Sequence, residues 1–278
     1  MSLRMIFLDI GLGTSTLIET DIINIIFDCG YDSETGNNAF KELRGKQLHY
    51  LILTHPHKDH IEALISRDYA DPLQMKKNNN ITNSLIDKQI IKANTEYDKE
   101  IFRKYKRLNN RYTKNVPNGN SYNDPANNGG VTIEHFIPSE RNSDDLNDYS
   151  IATYFYYRGY KILLMGDNTP QNIEELMSND YNRNKIKNID VLLAPHHGRE
   201  SCYNPDFVKH VNPRITIISD KPEDNNESAS VKYSDNSRGM YITKNGKKEF
   251  RSCITTRNDG DITLKIDDSY NLSIICSK

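Results

Sequence analysis

The stretch His-Tyr-Leu-Ile-Leu-Thr-His-Pro-His-Lys-Asp-His, residues 49–60, joins two kinds of sequence. Its first half is largely apolar and predicts a short buried strand. Its second half has the spacing His-x-His-x-Asp-His and must follow the strand at its carboxyl end. Imidazole and carboxylate groups are the ligands that suit zinc, manganese or iron. The stretch therefore predicts a metal site at the edge of a sheet.

The spacing divides these side chains into two pairs. Alternate residues of an extended loop point the same way, so His55 and His57 can hold one ion. Asp59 and His60 turn away as a helix begins and can hold a second ion. The alternative is a helix-capping Asp59 among surface histidines, which a cluster of four such residues after an apolar strand disfavours.

Two further groups follow apolar strands in the same way. Asp167 comes after the run 162–165, and His196-His197 come after the run 190–194. A carboxylate at 167 can bridge two ions, although an aspartate in an ordinary turn would look the same. Because sheet-based folds collect their sites at strand carboxyl ends, we expect these groups to meet the first cluster.

Composition excludes several classes of protein. The 278 residues carry a formal net charge of -2, which does not indicate a general polyanion binder. No run approaches the roughly 20 apolar residues of a membrane span, and the apolar start is too short for a signal peptide. The four cysteines are scattered without a Cys-x-x-Cys pair, which disfavours a cysteine zinc site. We expect reduced cysteines, a cytoplasmic location and no membrane partner.

Short apolar segments bounded by glycine or polar residues predict strands. They are 4–9, 15–19, 22–28, 49–54, 131–136, 150–157, 160–165, 190–194, 215–219, 239–243, 252–256 and 261–266. Helices are predicted at 59–66 and 170–177. Residues 115–130 and 220–239 are predicted to be irregular.

Residues 76–114 differ from the rest, since they hold eleven Lys or Arg against four acidic residues. An amphipathic helix with a basic outer face is predicted from apolar residues at helical spacing, namely Tyr97, Ile101, Tyr105 and Leu108. Lys104, Lys106 and Arg107 on that face are candidates for contacting nucleic-acid phosphates. An ordinary solvated helix face is the alternative, and the net charge of the chain favours it.

Five parts of the chain resemble the hydrolase domain of the competence protein ComEC, a branch of the metallo-β-lactamase fold. They are 7–13, 53–61, 146–150 with 162–167, 190–198 and 256–262. The resemblance implies an α/β fold, a four-layer αββα sandwich, as one domain over 1–278 with a basic helical insertion at 67–130. The sequence departs from that branch at Glu62-Ala63 and within 220–239, which leaves the substrate open.

The resemblance also implies a ligand set for two divalent ions, zinc or manganese. The implied ligands are His55 and His57 for the first ion, Asp59 and His60 for the second, and Asp167 between them. His197 is expected to join the second ion while His196 faces the substrate, and the exchanged roles are the alternative. His135 is the candidate for a further first-ion ligand, and a strand histidine without metal is equally compatible.

Two such ions can make bound water a nucleophile near neutral pH. Asp59 is expected to orient that nucleophile, while His196, with Ser201 or Lys221, protonates the leaving oxygen or binds phosphate. The predicted function is a metal-dependent phosphodiesterase or nuclease acting on nucleic acid or nucleotides. The alternatives are hydrolysis of a small phosphodiester such as a cyclic nucleotide or a phosphorylcholine ester, a non-catalytic binding or regulatory module, and hydrolysis of a lactam or thioester.

Overall fold

The computed structural model describes residues 2–113, 122, 124–221 and 227–278. In the first two thirds of the chain its strands follow the predicted apolar segments closely, except for Gln74–Lys76, which was not predicted. They are β1 (Leu3–Phe7), β2 (Ser15–Glu19), β3 (Asn24–Cys29), β4 (Tyr50–Ile52), β5 (Gln74–Lys76), β6 (Thr132–Phe136), β7 (Ala152–Tyr157), β8 (Tyr160–Leu164), β9 (Val191–Leu193), β10 (Ile215–Ile218), β11 (Met240–Lys244), β12 (Lys247–Arg251), β13 (Cys253–Thr255), β14 (Ile262–Ile266) and β15 (Leu272–Cys276).

Helices connect many of these strands. They are α1 (Ala39–Leu43), α2 (Lys58–Ile61), α3 (Asn83–Lys92), α4 (Glu96–Arg111), α5 (Pro170–Ser178), α6 (Asp180–Lys185), α7 (Pro205–Val211), α8 (Ser230–Asp235) and α9 (Thr256–Asp259). Several begin with a side-chain cap. At the start of α5 the hydroxyl of Thr169 accepts the backbone N–H of Asn172, and Pro170 is the first helical residue. None of the described helices is long and apolar enough to cross a membrane.

The strands of the described residues form two sheets. The larger runs in the order β12-β11-β15-β14-β1-β2-β3-β4-β5, and the smaller in the order β13-β10-β9-β8-β7-β6. One apolar cluster, with Phe27 and Leu164 among its members, fills the space between the sheets, and two others lie between each sheet and its helices. Helices therefore cover both outer faces, and the predicted four-layer αββα order is confirmed.

Parallel strands in both sheets direct their carboxyl ends to one edge of the sandwich. β3, β4 and β5 pair in parallel, and so do β8, β9 and β10. The metal motif leaves β4 at this edge, while Asp167 and the His196-His197 pair follow β8 and β9. The fold thus gathers segments that lie far apart in the sequence.

The basic insertion contains α3 and α4. Helix α4 buries Ile101, Tyr105 and Leu108 as predicted. Tyr97 is 49% exposed, so the prediction that it lies on the same buried face is wrong. Tyr97 lies in the first turn, beside the ammonium of Lys58. Lys58 also reaches Asp98 at 2.7 Å, which joins the start of α4 directly to the metal motif.

The last third of the chain departs from the predicted pattern. Helix α8 lies in the region 220–239 that the sequence predicted to be irregular, and residues 222–226 are outside the described part. Strand β12 was not predicted because its residues are charged and exposed. It pairs with β11 through a tight Asn245-Gly246 turn in which both residues have positive φ. Of the predicted loop 115–130, residues 115–121 and 123 are likewise outside the described part.

Candidate metal centre

Five histidine and aspartate side chains of the motif and the later strands converge around Asp167. The Nε2 atom of His60 lies 3.1 Å from its Oδ1, and the Nε2 atoms of His197 and His55 lie 3.3 and 3.7 Å from its Oδ2. Two groups of ligand atoms result, each with all atoms within 4.8 Å of one another. They are Asp59, His60, Asp167 and His197 in one group, and His55, His57 and Asp167 in the other.

Unpaired buried atoms show that these residues fit a cation. Among the described residues, Nε2 of His60, Nε2 of His197 and Oδ1 of Asp167 are buried without a hydrogen-bond partner, although they face one another at short range. An ion coordinated by all three would satisfy them, and a divalent metal is suited to such nitrogen and oxygen ligands.

The charges at the centre also favour a cation. Burial opposes protonation of His60 and His197, but the surrounding carboxylates outweigh it. They raise the pKa of His60 well above its ordinary value and that of His197 to about 10. Without metal, these histidines therefore hold protons that neutralise the carboxylates. Metal binding must release those protons, so metal affinity should fall as the pH is lowered.

Asp28 orients one of the ligands. It follows the apolar run of β3, is fully buried, and its Oδ2 lies 2.8 Å from Nδ1 of His60. The same carboxylate accepts the backbone N–H and the hydroxyl of Thr54, both at 2.8 Å. A carboxylate on the outer nitrogen fixes the tautomer and the ring of a ligating histidine. This role of Asp28 was not predicted from the sequence.

Two glycines let neighbouring loops approach the motif closely. A Cβ atom on Gly13 or Gly30 would collide with the backbone carbonyl of Asp59. Gly13 also has a φ of +120°, which disfavours other residues. That carbonyl accepts the backbone N–H of Thr14 at 3.2 Å, so the loops after β1 and β3 hold Asp59 in place.

His196 and His197 occupy consecutive left-handed positions, with φ of 47° and 55°. Left-handed backbone is costly for residues other than glycine, and it concentrates at functional sites. Here it turns the two rings to different positions. His197 enters the ligand group, with its Nδ1 bound to the carbonyl of Ser219, whereas Nε2 of His196 lies 3.9 Å from Asp167. Nδ1 of His196 contacts Sγ of Cys202 at 3.2 Å.

A polar cavity of about 830 Å³ lies among the loops after β1 and β3 and the residues Ser277 and Lys278. Lys221 lines this cavity, whereas the six candidate ligands do not. Ser219, two residues before Lys221, donates its hydroxyl to the Gly13 carbonyl at 2.7 Å. Ser201 is exposed next to Cys202.

The structure does not bring His135 to the ligand groups. In β6 its Nε2 lies 3.0 Å from the hydroxyl of Tyr50 and its Nδ1 lies 3.1 Å from the hydroxyl of Thr153. Burial, aided by the charge of Lys76, lowers the pKa of His135 to about 3. It is therefore a neutral histidine between the sheets.

This position predicts an acid-sensitive contribution to stability. In the unfolded chain His135 takes up a proton near its ordinary pKa of about 6.5, while the folded protein keeps it neutral, so acid favours unfolding. Between pH 7 and pH 5 the metal-free protein should lose about 2 kcal/mol more stability than a His135→Gln variant. Urea unfolding of both proteins at the two pH values measures this. Equal losses would show that His135 is not buried in the neutral form.

The candidate phosphate-binding cations on α4 are already engaged. Lys106 pairs with Asp87 at 2.5 Å and Arg107 with Glu100 at 2.6 Å. The ammonium of Lys104 lies 3.9 Å from the ring centre of Tyr69. Exposed pairs of this kind are worth at most about 1 kcal/mol, so a polyanion can replace them.

Comparisons with known proteins give one family match and several distant structural likenesses. A family model described as the metallo-β-lactamase superfamily matches residues 8–64, the segment that contains the motif. A search of curated proteins finds no significant match. Among solved structures, the metallo-β-lactamase fold protein YhfI from Bacillus subtilis aligns at 13% identity over 77% of this chain and 85% of its own, with a TM-score of 0.42. The short form of human tRNase Z aligns at 14% identity over 77% and 90%, with a TM-score of 0.39.

The two sheets, their helical layers and the matched segment are consistent with the metallo-β-lactamase fold. The structural likenesses are too distant to bear on activity, so the proposals that follow rest on the side chains of this chain.

Proposed function

We propose that this protein is a metal-dependent phosphodiesterase of the ComEC-like branch of the metallo-β-lactamase fold, with two zinc or manganese ions. The observation that carries the proposal is that two groups of ligands share Asp167. His55 and His57 would hold one ion, and Asp59, His60 and His197 the other. When bound, such a pair of ions activates water and neutralises the charge that develops on a phosphoryl oxygen.

The remaining residues position these groups. Asp28 holds the ring of His60, and the Ser219 carbonyl holds that of His197, so each directs Nε2 towards Asp167. Nε2 of His196 lies at the rim of the centre and can donate a hydrogen bond to the leaving oxygen. Lys221 is proposed to contact a phosphate of the substrate, and Ser201 is a further candidate for this contact.

A site for two ions suits a phosphodiester, because two bound ions would stabilise the charge on both the attacking and the leaving oxygen. A non-catalytic module is the alternative of another class. The convergence of six ligands, two of them held by Asp28 and by the Ser219 carbonyl, supports turnover instead.

Hydrolysis of a chromogenic diester tests the proposal. Protein stripped with chelator and reloaded with Mn²⁺ or Zn²⁺ should cleave bis-(p-nitrophenyl) phosphate in preference to a lactam or a thioester. Turnover of the lactam or thioester alone would contradict the phosphodiester assignment. Metal binding without any turnover would favour the non-catalytic module.

A second comparison separates a polymer from a small diester. The surface of α4 is proposed to contact nucleic acid, so the triple variant Lys104→Ala, Lys106→Ala and Arg107→Ala should lose DNA or RNA cleavage but keep hydrolysis of the small diester. The affinity for nucleic acid should also fall less steeply as the salt concentration rises, by an amount that corresponds to the loss of up to about three phosphate contacts.

Other exposed cations supply a matched control for that variant. Arg183, Lys187 and Lys209 line a groove at the opposite ends of the β8, β9 and β10 strands. Their replacement by alanine removes the same charge and should leave polymer cleavage unchanged. Equal losses from both triple variants would indicate a general charge effect, and loss from neither would assign a small diester such as a cyclic nucleotide or a phosphorylcholine ester.

A further inference from the structure

Asn147 shares an unusual property with the metal ligands. It lies in a 3₁₀ turn, Leu146–Tyr149, just before β7, and its side chain is 8% exposed. Its Oδ1 atom is buried and has no hydrogen-bond partner among the described residues. The same is true of His60 Nε2, His197 Nε2 and Asp167 Oδ1. A buried amide oxygen normally finds a donor, so this one calls for an explanation.

The backbone of Asn147 is fixed beside the centre. Its carbonyl accepts the N–H of Ser150 at 3.0 Å, and the hydroxyl oxygen of Ser150 accepts the N–H of Asp167 at 2.9 Å. The next residue, Ile151, donates its N–H to the carbonyl of Thr54 at 3.2 Å, immediately before His55. The turn is therefore tied both to the backbone of Asp167 and to the start of the metal motif.

Close packing places the same turn beside the segment that leads into His55. A Cβ atom on Gly166, just before Asp167, would collide with both the hydroxyl of Ser150 and the side chain of Thr54. Asp145 caps the 3₁₀ turn by accepting the N–H of Asn147 at 3.0 Å. The turn thus ends between the residues that precede Asp167 and His55.

The side of the centre occupied by His55 and His57 is the one with fewer ligands. The group around His60 supplies four residues, whereas the group around His55 supplies three, counting Asp167 in both. His135, the one histidine between the motif and Asp167 in the sequence, is engaged with Tyr50 and Thr153. An amide oxygen is an acceptable ligand for a divalent ion, and it is favoured by harder ions such as manganese.

We propose that Oδ1 of Asn147 is a ligand of the ion held by His55 and His57, which rests on the proposed two-ion centre. The hydrogen bonds of the turn fix its backbone beside the centre, which limits where the Oδ1 atom of Asn147 can lie before the ion arrives. Preorganised ligands of this kind raise affinity without a cost in ordering.

Metal titration of stripped protein tests the proposal, with Mn²⁺ and Zn²⁺ as the probes. The wild-type protein should bind two equivalents. Asn147→Ala should bind the more weakly held ion roughly 10- to 100-fold less tightly and leave the other unchanged. Asn147→Asp, which restores an oxygen, should recover binding. Asn142→Ala, an exposed asparagine of the same loop, serves as the matched control.

Three outcomes are distinguishable. Two equivalents with wild-type affinity in Asn147→Ala would overturn the inference while leaving the proposed function intact. Fewer than two equivalents in the wild-type protein would overturn the two-ion centre itself. The stability of metal-free Asn147→Ala adds a readout independent of metal, because removing an unpaired oxygen should cost little. A large loss of metal-free stability would show that the side chain has a structural role instead.

Discussion

Replacement of Asp167 with asparagine is expected to lower diester hydrolysis by roughly 1,000-fold, which corresponds to about 4 kcal/mol of lost transition-state stabilisation. Asp167 faces His55, His60 and His197 within 3.7 Å, so both ligand groups depend on its charge. Asparagine has nearly the same volume but lacks the negative charge that two cations require. The loss should appear in kcat/KM and, in parallel, in the metal content after dialysis.

A second aspartate provides the control. Asp190 lies at the other end of β9, where its Oδ2 accepts the backbone N–H of Lys161 at 2.9 Å. Asp190→Asn should keep wild-type activity and metal content. An Asp167→Asn protein that retains two ions and activity within threefold of the wild type would remove Asp167 from the centre.

Replacement of Asp28 with asparagine is expected to weaken metal binding by roughly 10- to 100-fold, the usual effect of losing the partner of a ligating histidine. One carboxylate oxygen of Asp28 serves His60 and Thr54 together, and the other accepts the N–H of Thr54. Asparagine offers a single acceptor and cannot replace both. Competition with a chromogenic chelator measures the change, and circular dichroism shows whether the fold is kept.

Asp32→Asn is the matched control for this change, because Asp32 accepts contacts only from its own surface turn in the described structure. It should bind metal as the wild type does. Unchanged affinity in Asp28→Asn would mean that the ring of His60 is held adequately by its packing alone.

The features predicted correctly from sequence are those in which a short pattern carries its own physical meaning. An apolar run followed at once by polar ligand residues identifies both a strand and the edge where its site lies. This pattern located β4, β8 and β9. The carboxyl ends of these strands were expected to meet in the fold, and in the structure they do.

Features that depend on pairing between distant segments were not predictable in this way. The role of Asp28 follows from the parallel register of β3 and β4, which places Phe27 opposite Ile52 and so Asp28 beside Thr54. The contacts of His135 likewise require the packing of one sheet on the other. Neither relation leaves a local signature in the sequence.

The basic helix shows an intermediate case. Glu100 lies seven residues before Arg107, at a helical spacing that already indicates a pair on one face. Lys106, in contrast, finds Asp87 on a different helix, and the sequence alone does not show how α3 and α4 pack. The sequence shows the excess of cations in this segment, but it indicates only some of their ion-pair partners.

Anomalous diffraction from crystals of the zinc- or manganese-loaded protein tests the two-ion centre most directly. We expect two anomalous peaks, about 3.5–4 Å apart as in other paired-ion sites, with Asp167 between them. One peak should lie against His55 and His57, and the other against His60 and His197. A single peak, or a peak that Asp167 does not contact, would contradict the account.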